Sequence, residues 1–172
     1  MRRMKRNSQA TELYERIRDL KAFELVQQHF DALAQVVCQN HGAVIRTIGD
    51  AVEAAFLTPL DAVDATLAMF SEIENFNTER GKHQIVRKAG VQRGHAIAVT
   101  LNEQLDYFVQ IVNIASRVQN LGSADETHVT EKVYGQAGVS DALAGLLVEA
   151  LAAQLKGISS TQHVYRVVSK AR

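Results

Sequence analysis

The sequence contains one cysteine, one proline and no tryptophan in 172 residues. A single cysteine excludes a disulfide framework and a thiolate metal cluster. Its position, Cys38, falls in an apolar helical pattern, which predicts a small buried side chain. Scarce proline leaves no proline-rich linker, and no repeat or low-complexity segment is present. No apolar run approaches the ~20 residues needed to span a bilayer. The N-terminus, MRRMKRNSQA, is basic but lacks the apolar stretch of a signal peptide. The expected setting is therefore the reducing cytoplasm. Charge of one sign is lacking too: 19 basic residues balance 19 acidic ones. That balance argues against a chain whose main work is gripping nucleic-acid phosphates. Six histidines are scattered without the close spacing of a zinc site.

What remains is an ordinary globular composition, 47% hydrophobic and 22% charged, long enough for one domain with a sizeable core. Between Leu20 and His41, apolar residues at Phe23, Val26, Phe30, Leu33 and Val37 recur in steps of three and four, the signature of an amphipathic helix. Gly42 is placed to end it. AVIRTI and AVEAAF flank Gly49-Asp50, a two-residue loop that predicts a β-hairpin. Thr58-Pro59-Leu60-Asp61 carries the cap, first-turn proline and acceptor of a new helix.

Residues 84–101 read as two strands turning near Arg93-Gly94-His95, and residues 108–120 as a third long helix. A short strand at 127–130, a short helix at EKVYG and a closing strand at 163–168 complete the pattern. Interspersed strands and helices favour an α+β sandwich with a mixed or antiparallel sheet over a doubly wound parallel one.

Chemistry-bearing residues are few. Asp50, at the predicted hairpin tip, serves either the turn or a hard cation such as Mg²⁺, which takes one or two protein carboxylates plus phosphate and water. Asn113 and Arg117 share one helix face: they are either a solvated polar stripe or an asparagine and a forked cation suited to phosphate. Lys156 stands beside Gly157, and Asp106-Tyr107 precede the third helix, where an aspartate most often caps. There is no Walker phosphate loop, dinucleotide glycine fingerprint or nucleophile elbow.

In order and spacing, GAVIRTIGDAVEAAF (42–56), AGVQRGHAIAV (89–99), LDYFVQIVNIASRVQNLG (105–122) and LKGISSTQHVYRV (155–167) resemble the catalytic domain of class III adenylate/guanylate cyclases. The resemblance spans about Thr11 to Val167, and the pairing of TIGD with VNIASR at this separation is its most specific part. It divides the chain into a basic polar segment at 1–10, a cyclase homology domain at 11–168 and a tail at 169–172. It implies a ferredoxin-like α+β fold and a head-to-tail homodimer with active sites at the interface. The implied reaction converts a nucleoside triphosphate to the 3′,5′-cyclic monophosphate and pyrophosphate, assisted by Mg²⁺ or Mn²⁺.

By that resemblance Asp50 is a metal ligand, Asn113 orients the ribose and Arg117 offsets charge at the α-phosphate. Lys156 contacts the terminal phosphates, and Arg46 with Asp106 reads the base. Asp106 favours ATP over GTP, because guanine-specific members usually carry Glu and Cys at the two base-reading places. Arg46 replaces the usual lysine there, and its planar fork differs from an ammonium.

The sequence departs from the family at its start. Members begin with an apolar strand of the type F-x-D-I-x-G-[FS]-T that bears the first metal aspartate. Aligned on Thr11, this chain has Arg6 at the aspartate and Gln9 at the glycine, and the strand's apolar alternation is gone. A cation there repels a metal ion, and the sheet is expected to lack a central element. Val109 replaces a further glycine. The alternative expectation is thus a degenerate or truncated cyclase-like domain that binds nucleotide or a partner without turnover.

Overall fold

A computed structural model describes residues 19–80, 85–95, 97–101, 104–108 and 110–168. Arg6, Gln9, Thr11, the segment 1–10, the tail 169–172 and Val109 lie outside the described residues, so expectations about them have no structural counterpart here.

Helix α1 spans Asp19–Gln39 and leads into the hairpin β1 (Gly42–Ile48) and β2 (Ala51–Phe56). Gly49 takes φ 65 at the turn, the left-handed conformation that glycine adopts without a side-chain clash. A register shift between Val44 and Arg46 marks a bulge in β1. Helix α2 (Pro59–Arg80) starts as its sequence chemistry demands: Asp61 N–H donates to Thr58 Oγ1 at 3.1 Å, while the Thr58 hydroxyl donates to the Asp61 carboxylate. That second bond is the main reason the Asp61 carboxyl is held below its usual range.

Then follow β3 (Lys88–Val91), β4 (Ile97–Leu101), β5 (Gln104–Phe108), α3 (Gln110–Gln119), β6 (Glu126–Thr130), α4 (Glu131–Tyr134), α5 (Val139–Ala142), β7 (Leu147–Ala153) and β8 (Gln162–Val168). Among the described residues the strands form a four-stranded sheet, β3-β6-β8-β7, and two hairpins, β1–β2 and β4–β5. Only the β3–β6 pair in the larger sheet is parallel, so the architecture is the mixed α+β arrangement expected.

Two layers cover the four-stranded sheet. Val63 of α2 packs with Val91, Val129 and Val167, with Val133 and Val139 of the short helices and with Leu143 just after them. The other face receives α3, whose Val118 closes on Val164 and Leu155. No helix among the described residues is long and apolar enough to cross a membrane.

Three expectations need correction. Residues 84–101 do not fold back on themselves. Instead β3 pairs with the distant β6, and β4 pairs with β5. Asp106 consequently lies inside strand β5, opposite Val99, and is not a helix cap. Cys38 is exposed. Its neighbours Val36 and Val37 hold the inward positions of the last turn of α1, and a helical step of about 100° carries the next residue outward.

Candidate functional site

The best-defined part of the site lies where α3 meets the connection between β7 and β8. Ile114 and Val118 share one face of α3 and pack on Leu155, which is 3% exposed, and on Val164. Burying that face turns Asn113 and Arg117 onto the adjacent one, where Asn113 is exposed and Arg117 half-buried. The Arg117 guanidinium lies against Gly157: a Cβ on that glycine would stand 3.6 Å from both Nη1 and Nη2. Lys156, the neighbouring residue, is exposed. The packing of α3 thus brings the Arg117 guanidinium, distant in sequence, to the turn that carries Lys156, a pairing of cationic residues that suits polyphosphate.

The backbone there is tightly folded. Ile158 N–H donates to Leu155 C=O at 3.0 Å, and Gly157 has φ 74, so Lys156 is the second residue of a turn that needs glycine at its third position. Gln154 spans the same loop: its Nε2 donates to Ile158 C=O at 2.7 Å, and its Oε1 accepts from Thr161 Oγ1 at 3.4 Å. Residues 154–159 line an open depression of about 540 Å³.

Asp50 and Arg46 belong to the β1–β2 hairpin. Asp50 is exposed at its tip, as the Gly49-Asp50 dipeptide implied. Its charge acts on His29 of α1, a residue absent from the sequence-based candidate set. His29 is 7% exposed, packs near Phe30 and Phe76, and is pushed below the ordinary histidine range by burial, an effect the negative charge of Asp50 partly offsets. Nothing in the helical pattern distinguishes His29 from a core residue, since only the returning hairpin brings Asp50 into its reach.

Arg46 forms an ion pair with Glu53 across the hairpin, Nε to Oε2 2.8 Å. Strand β1 also lies against β5, the strand that contains Asp106. The six sequence candidates therefore fall into two groups: Asn113 and Arg117 on α3 with Lys156 on the loop that Arg117 touches, and Arg46, Asp50 and Asp106 on the two hairpins.

The donor set gives a limited fit to a metal ion. Asp50 supplies one hard carboxylate, but no group of three His, Cys, Asp or Glu side chains able to hold a metal occurs among the described residues. A divalent cation at Asp50 needs further oxygen ligands, such as substrate phosphates and water.

A second buried polar network lies beside the far end of α3. Glu126, 8% exposed, accepts from Arg166 and from the backbone N–H of Ser123, which together hold its carboxyl below the usual range. Arg166 also donates to Glu149. His128, 1% exposed, is pushed down by burial, and its Nδ1 has no hydrogen-bond partner.

A family model described as the adenylate and guanylate cyclase catalytic domain matches residues 8–143. No curated protein matches the chain. Among solved structures, the adenylyl cyclase CyaB from P. aeruginosa superposes with a TM-score of 0.76 at 20% identity, covering 95% of this chain and 90% of that one. The guanylate cyclase domain of RhGC from Catenaria anguillulae, in complex with GTP, gives 0.77 at 19% identity, with 94% and 91% covered. The catalytic core of a rhodopsin-guanylyl cyclase with converted specificity, in complex with ATPαS, gives 0.77 at 20%, with 93% and 89% covered. At these identities the likeness to solved structures is one of fold.

Proposed function

The chain belongs to the adenylate and guanylate cyclase catalytic domain family, and from that membership we propose that it is a nucleotidyl cyclase acting on ATP in preference to GTP. The observation that carries the proposal is the Arg117 guanidinium lying against Gly157, the residue after Lys156, which brings a fixed cation to the turn that bears the lysine.

In this reading residues 11–168 form the catalytic domain. Lys156 binds the terminal phosphates, and Arg117 meets the negative charge that grows at the α-phosphate as the ribose 3′-oxygen attacks. The new P–O bond closes the cyclic ester as the 3′-hydroxyl gives up its proton to solvent, and the bond to pyrophosphate breaks. Asn113, on the Arg117 face of α3, orients the ribose so that attack is in line. Asp106 accepts from the exocyclic amine of adenine, and Arg46 donates to a ring nitrogen. Asp50 holds a divalent ion, Mg²⁺ or Mn²⁺, which when bound acidifies the 3′-hydroxyl and screens the phosphates. Two chains are needed, because in this family base-reading and metal-binding residues of one site come from different subunits.

A non-catalytic nucleotide-binding module is the second reading. It is favoured by one observation: the sequence carries Arg6 where the family's first metal aspartate belongs.

Turnover of ATP and of GTP, with Mg²⁺ and with Mn²⁺, separates the two. The cyclase reading expects cyclic AMP from the intact chain and its loss in Asp50→Ala. Product appearing only in an Arg6→Asp variant with a restored apolar first strand would favour the non-catalytic module. Absence of product from both chains would end the cyclase reading.

A further inference from the structure

We propose that Gln154 is a positioning residue for Lys156, and through it for recognition of the terminal phosphates; this rests on the phosphate role of Lys156 given above. The basis is the construction of the β7–β8 connection. Leu155 is anchored in the core beneath α3, but the residues after it are exposed apart from half-buried Ile158. A turn held only by Leu155 would leave Lys156 on a loosely tethered arc.

Gln154 closes that arc from the other side. One donor bonds Ile158 C=O at 2.7 Å and approaches Ser159 C=O at 3.5 Å, while the amide oxygen accepts from Thr161 at 3.4 Å. Ile158 is thereby held at both backbone groups, its N–H by Leu155 and its C=O by Gln154. Ile158 is the closing residue of the turn that contains Lys156 and the glycine on which Arg117 rests. Glutamine suits the task because a single side chain offers both a donor and an acceptor. Exposed as it is, Gln154 contributes little to global stability, so its effect is local: it reduces the freedom Lys156 must give up when it grips a phosphate.

Binding of inorganic tripolyphosphate to the full chain, measured by calorimetry, tests this in a double-mutant cycle with Lys156→Ala. Gln154→Met keeps the length and removes the polar atoms. It is expected to weaken tripolyphosphate binding about fivefold in the otherwise unaltered chain, the scale of one modest hydrogen bond, and to have no effect in the Lys156→Ala background. Gln154→Glu, which loses the donor and sets a carboxylate beside Lys156, is expected to weaken binding at least as much.

In the turnover assay the same change raises KM for the nucleotide and leaves kcat nearly constant. Equal losses with and without Lys156, normal affinity in both variants, or no tripolyphosphate binding by the unaltered chain would each overturn the proposal. Lys156-dependent loss of tripolyphosphate affinity in a chain that turns over neither ATP nor GTP would uphold Gln154 and defeat the cyclase reading.

Discussion

Gly90 of β3 lies directly beneath the backbone of Ala115 in α3. A Cβ at Gly90 would stand 2.3 Å from the Ala115 carbonyl oxygen and 2.5 Å from the Gln119 nitrogen. Gln119 completes the contact by donating its side-chain amide to Lys88 C=O at 3.1 Å. The absence of one methyl group thus sets how closely α3 approaches the sheet, and with it the height of Asn113 and Arg117 above the 154–161 loop.

Both atoms that a Gly90 side chain would strike are main-chain atoms, so no rotamer change relieves the overlap. Gly90→Ala is expected to destabilise the fold by about 1–3 kcal/mol, the range for overpacking a well-packed contact. A lowered urea midpoint with an unchanged slope is the expected signature. Because α3 carries Arg117, nucleotide turnover should fall further than the loss of folded protein explains. Normal stability in this variant would contradict the close approach.

Gly157 makes the opposite case. A Cβ there meets Arg117 only at ordinary contact distance, 3.6 Å, but the backbone has φ 74. Gly157→Ala should therefore cost about 1–2 kcal/mol through left-handed strain rather than collision. Gly157→Asn, which tolerates that conformation better, should recover much of the loss. If thermal denaturation ranks asparagine no better than alanine, the penalty lies in the contact with Arg117 and not in the turn.

These two glycines also show which parts of the molecule local sequence chemistry can reveal. The Gly49-Asp50 hairpin and the Thr58–Asp61 capping box depend on residues next to one another in the chain, and both were legible. The shared face of Asn113 and Arg117 follows from helical periodicity. Nothing local predicts strand β7, because LVEALAA is rich in alanine and leucine, good helix formers; its pairing with β8 overrides that preference. Strand β5 was likewise read as the approach to α3, since nothing local announces its pairing with β4. The convergence of Arg117 with Gly157, and the reach of Asp50 to His29, arise only when distant elements pack. Sequence motifs could identify Arg117, Lys156 and Asp50 as candidates but could not show these neighbours.

The buried His128, joined in the upper window by buried His29, and Glu126 predict a two-step acid sensitivity. Burial lowers His128 below its reference value of 6.5, so the unfolded chain binds the extra proton first. The neutral-histidine contribution is complete above pH 6.5 and is lost as the pH falls from there through the folded-state value. Glu126 is lowered from 4.5 by Arg166 and the Ser123 N–H, so its contribution is present above pH 4.5 and is lost as acidity increases through its own folded-state value. Unfolding free energy measured from pH 8 to pH 3 should therefore decline in both windows. Glu126→Gln should flatten the lower window while leaving a decline below pH 6.5. An unaltered lower window in that variant would remove Glu126 from the account.

The start of α2 offers a test that does not involve the site. Thr58 accepts from Asp61 N–H and donates to its carboxylate, so Thr58→Ala leaves a first-turn amide without its cap. A loss of about 1 kcal/mol is expected. Calorimetric unfolding should show it as a lower Tm, with little change in nucleotide affinity. Undiminished stability would mean that water replaces the hydroxyl at this exposed helix end.

Purine choice gives the last test. Arg46 of β1 is held by Glu53 of β2 at 2.8 Å, and β1 lies against β5, where Asp106 is opposite Val99. If Arg46 and Asp106 read adenine, replacing them with the pair typical of guanine-specific members should invert the donor and acceptor demands on the base. The double variant Arg46→Glu/Asp106→Cys is expected to shift the ratio of kcat/KM for GTP over ATP by about tenfold or more, because a site built to hydrogen-bond one base edge leaves polar groups unpaired against the other. Glu53→Ala should act on the same ratio more weakly, by releasing the carboxylate that orients the guanidinium. An unchanged ratio in the double variant would remove both residues from base recognition and move the search for the purine reader to other residues.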